Sequence, residues 1–267
     1  MQVKSILRYP GGKQRAMKIL ADFIPRDETE ICSPFLGGGS FELYCASALK
    51  MRVYAYDTLS PLVEFWQTLL KNPSRIADCV AGYLPELKKE TFYRLQRTQS
   101  WIDGKPERAA AFYVINRASF SGCTLSGGMS PSHQRFTPKS VERVREFPAG
   151  AVKPYFHVKE MDFEDSINLH QRGMIYADPP YWLRNQNLYG DRSSARESFD
   201  HQKLHDVLIS RGGRWLLSYN DCEEVRKLYD GHVMVAPTRS YGMSKNKKSR
   251  ELLILSKRLS ECLRQSS

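Results

Sequence analysis

Residues 30–57, "EICSPFLGGGSFELYCASALKMRVYAYD", read as strand, glycine loop, helix and second strand. The apolar run 30–35 stops at three glycines, apolar positions then recur at helical spacing over 40–51, and the run 52–57 ends on Asp57. A strand that returns through a helix belongs to a parallel sheet. Glycines directly after a strand let the backbone pass close beneath a ligand, although a purely structural turn accounts for them equally well. Asp57 lies 18 residues beyond Gly39, near the spacing at which a carboxylate meets a ribose diol. A dinucleotide loop would want a further glycine three residues after Gly39. Position 42 is Glu instead, which would face a pyrophosphate with like charge. The pattern therefore favours a nucleoside ligand without phosphates, of which S-adenosylmethionine is the common one.

Five more apolar runs lie downstream: 155–163, 174–180, 214–221, 232–237 and 251–256. Helical periodicity separates several of them, as at 60–71, 200–211 and 221–230. The alternation predicts an α/β fold. It breaks between Asp57 and Tyr155, where "PSRIADCVAGYLPELKKETFYRLQR" and "ERAAAFYVINRAS" are helical in pattern and "FSGCTLSGGMSPS" is rich in Gly and Ser. So long a stretch without a sheet strand is expected to be an inserted helical lobe with a recognition loop, spanning 72–150, while 1–71 and 151–267 form the main domain.

The chain of 267 residues is 41% hydrophobic, enough for a packed core. No apolar run approaches the roughly 18 residues of a membrane span, and the N-terminal "MQVKSILRYPGGKQR" has no signal-peptide core. A soluble, cytoplasmic protein without a membrane partner is expected. The six cysteines are scattered with no C-x-x-C pair, so neither zinc nor a disulfide framework is suggested and no metal is implied. Forty basic residues against 29 acidic ones give a net charge of +11, which biases large polyanions toward the surface. The excess is local: 239–258 holds seven Lys and Arg against one Glu. Such a run is commonly just a solvated face.

"MIYADPPYW", 174–182, carries a buried-looking run into a stiff, charged, aromatic turn. Asp-Pro is a common loop starter. The fourth strand, however, neighbours the first in doubly wound sheets, so its end opens onto the glycine-loop crevice. There Asp178 and the Pro179 carbonyl can each accept an N–H from an aromatic amine whose lone pair is otherwise delocalised into its ring. Proline locks φ and brings no competing N–H. Tyr181 offers a face for a base, with Trp182 in support.

Taken together, these segments resemble the D12 class of N6-adenine-specific DNA methyltransferases, the Dam-like group. "RYPGGK" resembles its motif X, "SPFLGGGSFEL" motif I, Asp57 the acid of motif II, "MDF" (161–163) motif III and "DPPY" motif IV. "NRASFSG" (116–122) resembles the Asn-Arg segment of the recognition domain, "FDHQKLHDVL" (199–208) motif V and "LLSYND" (216–221) motif VI. The resemblance implies a three-layer, Rossmann-like methyltransferase fold with a mixed seven-stranded sheet. It also implies S-adenosylmethionine as cofactor, double-stranded DNA as partner and a flipped adenine as target; the oligomeric state is left open, with a monomer favoured. By similarity Tyr9, Lys13, Pro34, Phe35, Gly37, Gly39, Asp57, Asp162 and Phe163 line the cofactor pocket, and Asp178, Pro179, Pro180 and Tyr181 the catalytic one. Asn116, Arg117, Ser119 and Arg135 are expected at base edges, and Lys247, Lys248 and Arg250 at phosphates. Two departures stand out. Ser33 occupies the place where the family often carries a Glu that reaches the methionine amine, so weaker cofactor binding is expected. "CTLSGGMSPSHQRF" is not a clearly charged hairpin. The rivals are an N4-cytosine methyltransferase, disfavoured by Asp before Pro-Pro-Tyr, and a non-catalytic DNA-binding relative, disfavoured by the intact turn.

Overall fold

The computed structural model describes residues 2–84, 87–130, 136–182, 199–237 and 251–265. All seven apolar runs form strands: β1 (Glu30–Ser33), β2 (Arg52–Asp57), β3 (Phe156–Glu160), β4 (Met174–Ala177), β5 (Trp215–Asn220), β6 (Val233–Val235) and β7 (Glu251–Leu255). They make one mixed sheet in the order β3-β2-β1-β4-β5-β7-β6. β7 runs antiparallel to both neighbours, and the remaining pairs are parallel.

The central strands are buried along their length rather than on alternate residues, because helices cover both faces. Strand pleating sends successive side chains to opposite sides, and two hydrophobic clusters follow. Ile31, Val53, Ala55, Met174, Tyr176, Leu216 and Leu253 face one side, together with Phe41, Phe65, Trp66, Phe112 and Tyr113. Cys32, Ile175, Ala177, Trp215, Leu217, Tyr219 and Ile254 face the other, with Ile167, Leu204, Leu208 and Val225.

Helical segments over 72–150 pack into the first of these clusters. Ile76 and Val80, Phe92 and Leu95, Ala109 to Ile115, and Val141 and Val144 are continuous there with the sheet residues. Helix Lys105–Ala118 is buried on nearly all sides against helix Ser60–Lys71, so this stretch shares the core of the sheet. Helix Pro138–Arg145 starts with a capping box between Thr137 and Ser140.

Several elements are shorter than the runs that announce them, two of them for evident local reasons. β1 stops at Ser33 because Pro34 has no N–H for the ladder. The helix expected over 40–51 ends at Ser47, where Lys50 turns to φ 58° and Met51 donates its N–H to the Cys45 carbonyl.

Candidate active site

In the sheet the chain leaves β1 toward β2 and β4 toward β5. A crevice opens outside the carboxyl ends of strands that part in this way. A cavity of about 560 Å³ lies there, walled by residues 9–13, 34–42, 57–59, 122–126, 162–163, Tyr176, 178–181 and Phe199. The size suits a small-molecule site. Every residue expected at the cofactor and every residue of the Asp-Pro-Pro-Tyr turn belongs to this wall.

The glycine loop is shaped first by an internal neighbour. Gly37 and Gly39 hold left-handed φ values of 48° and 63°. A Cβ on Gly38 would meet Tyr9 Cβ at 2.8 Å, and one on Gly37 would meet the Tyr9 ring at 3.0 Å. Tyr9 therefore lies on the loop, and its packing alone already requires small residues beneath it. Asp57 ties the loop to β2: Oδ2 accepts the Gly37 N–H and Oδ1 the Leu59 N–H, both at 3.0 Å. A carboxylate has about four acceptor positions, so capacity remains for hydroxyls. Burial raises the Asp57 pKa, against these N–H groups. Asp162 caps helix Phe163–Leu169, accepting the Asp165 N–H at 2.9 Å. Phe35, Phe163 and Phe199 form an aromatic cluster with ring centroids 5.5 to 5.7 Å apart.

Lys13, expected at the cofactor, is bonded to the turn instead. Its side chain is buried, and Nζ lies 2.8 Å from Asp178 Oδ1, from Glu251 Oε1 and from the Tyr181 hydroxyl. The Tyr181 hydroxyl donates to Glu251 at 2.6 Å, and Ser218 Oγ donates to the same oxygen at 3.0 Å. Burial pushes Asp178 up to about 6, against the pull of Lys13. For Glu251 burial also acts upward, but Lys13 and the two hydroxyls outweigh it and its pKa is lowered. Burial alone would lower Lys13, yet Asp178, Tyr181, Tyr176 and Glu251 hold it well above its ordinary value. One ammonium thus joins the start of the chain to β4 and β7. Beyond the turn, Asn220 at the end of β5 exchanges two 2.9 Å hydrogen bonds with the Trp182 backbone. The Trp182 ring stacks on His201 at 4.3 Å.

Sequence reasoning missed Glu251, Phe199 and Glu42 as parts of this site. Glu42 is 3% exposed and accepts from Ser33 Oγ at 2.7 Å. Burial pushes it up to about 7, against hydrogen bonds from its own N–H and from Ser33. The Tyr176 hydroxyl, in the same wall, is buried without a hydrogen-bond partner.

Two of the residues expected at base edges are corrected by their burial. Asn116 is 0% exposed, and its side chain accepts the Arg8 N–H at 2.9 Å while donating to the Arg8 carbonyl at 2.6 Å and to Thr124 Oγ1 at 2.9 Å. Ser119 is also buried and donates to the Asn116 carbonyl. These polar atoms pin the loop 119–130 to the backbone just ahead of Tyr9, and their burial keeps them from a base edge in this structure. Gly122 fits the same junction, since a Cβ there would meet the Arg8 carbonyl oxygen at 2.6 Å. Arg117 is half-buried. Arg135, Lys247, Lys248 and Arg250 lie outside the described residues. Phe120, near the start of the same loop, is 63% exposed.

The residues present suit S-adenosylmethionine. Asp57 keeps acceptor positions, the phenylalanines supply an apolar wall, and Glu42 and Tyr176 leave polar groups for a charged tail. Among the described residues no group of His, Cys, Asp or Glu is arranged to hold a metal ion. No described helix is long and apolar enough to cross a membrane.

The sequence profile of the D12 class N6 adenine-specific DNA methyltransferases matches residues 9–243. The chain is similar to type II methyltransferase M.CviBI of Paramecium bursaria Chlorella virus NC1A, with 23% identity over 90% of this chain and 91% of that protein. It is 24% identical, over 88% of its length, to the DNA N-6-adenine-methyltransferase of Escherichia phage P1, of which the match covers 32%. Type II methyltransferase M.MjaIII of Methanocaldococcus jannaschii is 22% identical over 86% of this chain and 89% of its own length.

Proposed function

Because the chain belongs to the D12 class of N6-adenine-specific DNA methyltransferases, we propose that the β1/β4 cavity binds S-adenosylmethionine and methylates an adenine turned out of duplex DNA. Family membership sets aside the N4-cytosine and non-catalytic alternatives. The observation that carries the reading is that Asp57 and Asp178 wall one cavity on either side of the β1 loop. When bound, the cofactor supplies an electrophilic methyl on a sulfonium.

The roles of the residues follow from their chemistry. Asp57 accepts from the ribose hydroxyls, and Phe35, Phe163 and Phe199 cover the adenosine. Lys13 takes Oδ1 of Asp178 and holds the carboxylate still. The other carboxylate oxygen and the Pro179 carbonyl each accept one N–H of the target amine. That pair draws the nitrogen toward tetrahedral geometry and offsets the positive charge that grows on it. Preorganised groups of this kind are typically worth about 3–4 kcal/mol each. The Tyr181 ring, fixed by Lys13 and Glu251 through its hydroxyl, offers its face to the base. N6 is engaged in pairing inside a duplex, so the base must be extruded to reach Asp178. Exposed Phe120, two residues before Gly122 of the cavity wall, is suited to fill the gap left in the stack. Arg117 is the remaining candidate for a base edge, and the basic segment 239–250 for phosphates, which also suits a DNA-bound, cytoplasmic enzyme.

The test is to incubate the protein with methyl-tritiated S-adenosylmethionine and duplex DNA, then digest to nucleosides. Label in N6-methyldeoxyadenosine is expected. Label in deoxycytidine, or none, would contradict the reading.

A further inference from the structure

The buried carboxylate of Glu42 has no role in the chemistry above. It stands in the first turn of helix Ser40–Ser47, nine residues beyond Ser33, and the Ser33–Glu42 hydrogen bond joins the end of β1 to the start of that helix. The other carboxylates in the cavity wall already have partners and a part in the reading above. Asp57 holds two loop N–H groups, Asp162 caps a helix, and Asp178 is paired with Lys13. Lys13 spends its contacts on Asp178, Glu251, Tyr181 and Gly11. Among the described residues Glu42 therefore faces the cavity with no cation paired to it. A buried carboxylate without a cation is costly. A second unsatisfied group lies in the same wall, the Tyr176 hydroxyl, in a side chain only 1% exposed.

A sulfonium methyl donor has three arms. With the adenosine toward Asp57 and the methyl toward Asp178, the aminocarboxypropyl arm is left the remaining wall, in which Glu42 lies with Ser33 behind it. Its ammonium needs a buried acceptor. We propose that Glu42, held in place by Ser33, receives the α-ammonium of the cofactor, so that the acid missing at position 33 is supplied one helical start further along. The proposal rests on the assignment of this cavity to S-adenosylmethionine. It also reverses the expectation that Ser33 weakens cofactor binding.

The first-turn position would favour a carboxylate even without a ligand, so the experiment has to separate the two roles. Calorimetric titrations compare S-adenosylhomocysteine, its analogue lacking the α-amino group, and 5′-methylthioadenosine, which lacks the whole amino-acid arm. Wild type should bind S-adenosylhomocysteine at least tenfold more tightly than the deaminated analogue, and this comparison needs no variant. Glu42→Gln keeps the shape and an acceptor for Ser33. It should lose on the order of tenfold to a hundredfold for S-adenosylhomocysteine and stay within about twofold for the other two ligands. Ser33→Glu combined with Glu42→Gln should recover most of that loss. Equal affinities of wild type for the first two ligands, or a Glu42→Gln loss shared by all three, would overturn the proposal. Failure of wild type to bind S-adenosylhomocysteine or methylthioadenosine at all would instead sink the cavity assignment.

Discussion

Lys13→Met removes the charge between two acids while roughly keeping side-chain length. Its Nζ is 2.8 Å from both Asp178 and Glu251, whose side chains retain 21% and 13% exposure. Stranding a buried carboxylate costs about 3–5 kcal/mol. Partial exposure of both acids argues for the lower end, about 3 kcal/mol, or a fall in Tm of roughly 6–12 °C for a chain of this size. The pH dependence gives the reasoning a sharper edge. Asp178 stands at about 6 in the folded protein, above the roughly 3.9 of an unfolded Asp. Folding therefore favours its protonated form, and that contribution is full below pH about 4 and lost as the pH rises through 6. Without Lys13 the Asp178 pKa climbs further, so the loss continues to higher pH. Thermal melts should show a larger deficit for Lys13→Met at pH 8 than at pH 5. In parallel, the acid limb of kcat/KM, near 6 in wild type, should move upward. A deficit below about 1 kcal/mol, or one that does not depend on pH, would refute the picture of one ammonium neutralising the turn.

The other predictions concern the loop and the cofactor end. Asn116→Ala leaves the Arg8 N–H and carbonyl short of partners and should cost about 1–3 kcal/mol in denaturant unfolding, with cognate and scrambled duplexes affected alike; a selective loss of the cognate site would return Asn116 to the DNA interface. Phe120→Ala should slow methylation of a paired adenine while sparing one opposite an abasic site, because the exposed ring is needed only where a stack must be opened; equal slowing on both substrates would remove that role. Asp57→Ala should weaken S-adenosylmethionine binding by at least tenfold, and an unchanged dissociation constant would move the ribose contact elsewhere.

Much of this architecture was legible from local pattern. β2 and helix Ser60–Lys71 coincide with the runs read from the sequence, since Arg52 and Asp57 bound the strand, Pro61 and Lys71 the helix, and apolar residues fill each at one period. What the pattern lacked was pairing. Nothing in "ELLIL" indicates that β7 inserts antiparallel between β5 and β6. The Lys13–Asp178 and Asn116–Arg8 contacts close across 165 and 108 residues, so motif resemblance assigned those side chains to the cofactor and to DNA without showing their partners elsewhere in the fold. Glu42 was informative as a charge hostile to pyrophosphate. Its bond to Ser33 spans the turn from strand to helix, where neither period applies.

In the proposed mechanism Asp178 orients the target amine and does not hold the cofactor. Single-turnover methyl transfer by Asp178→Ala, measured beside its affinity for S-adenosylmethionine, separates the two roles. The rate should fall by about a hundredfold or more, with affinity within about threefold of wild type. Retention of more than about a tenth of the wild-type rate, or a loss confined to cofactor affinity, would contradict it.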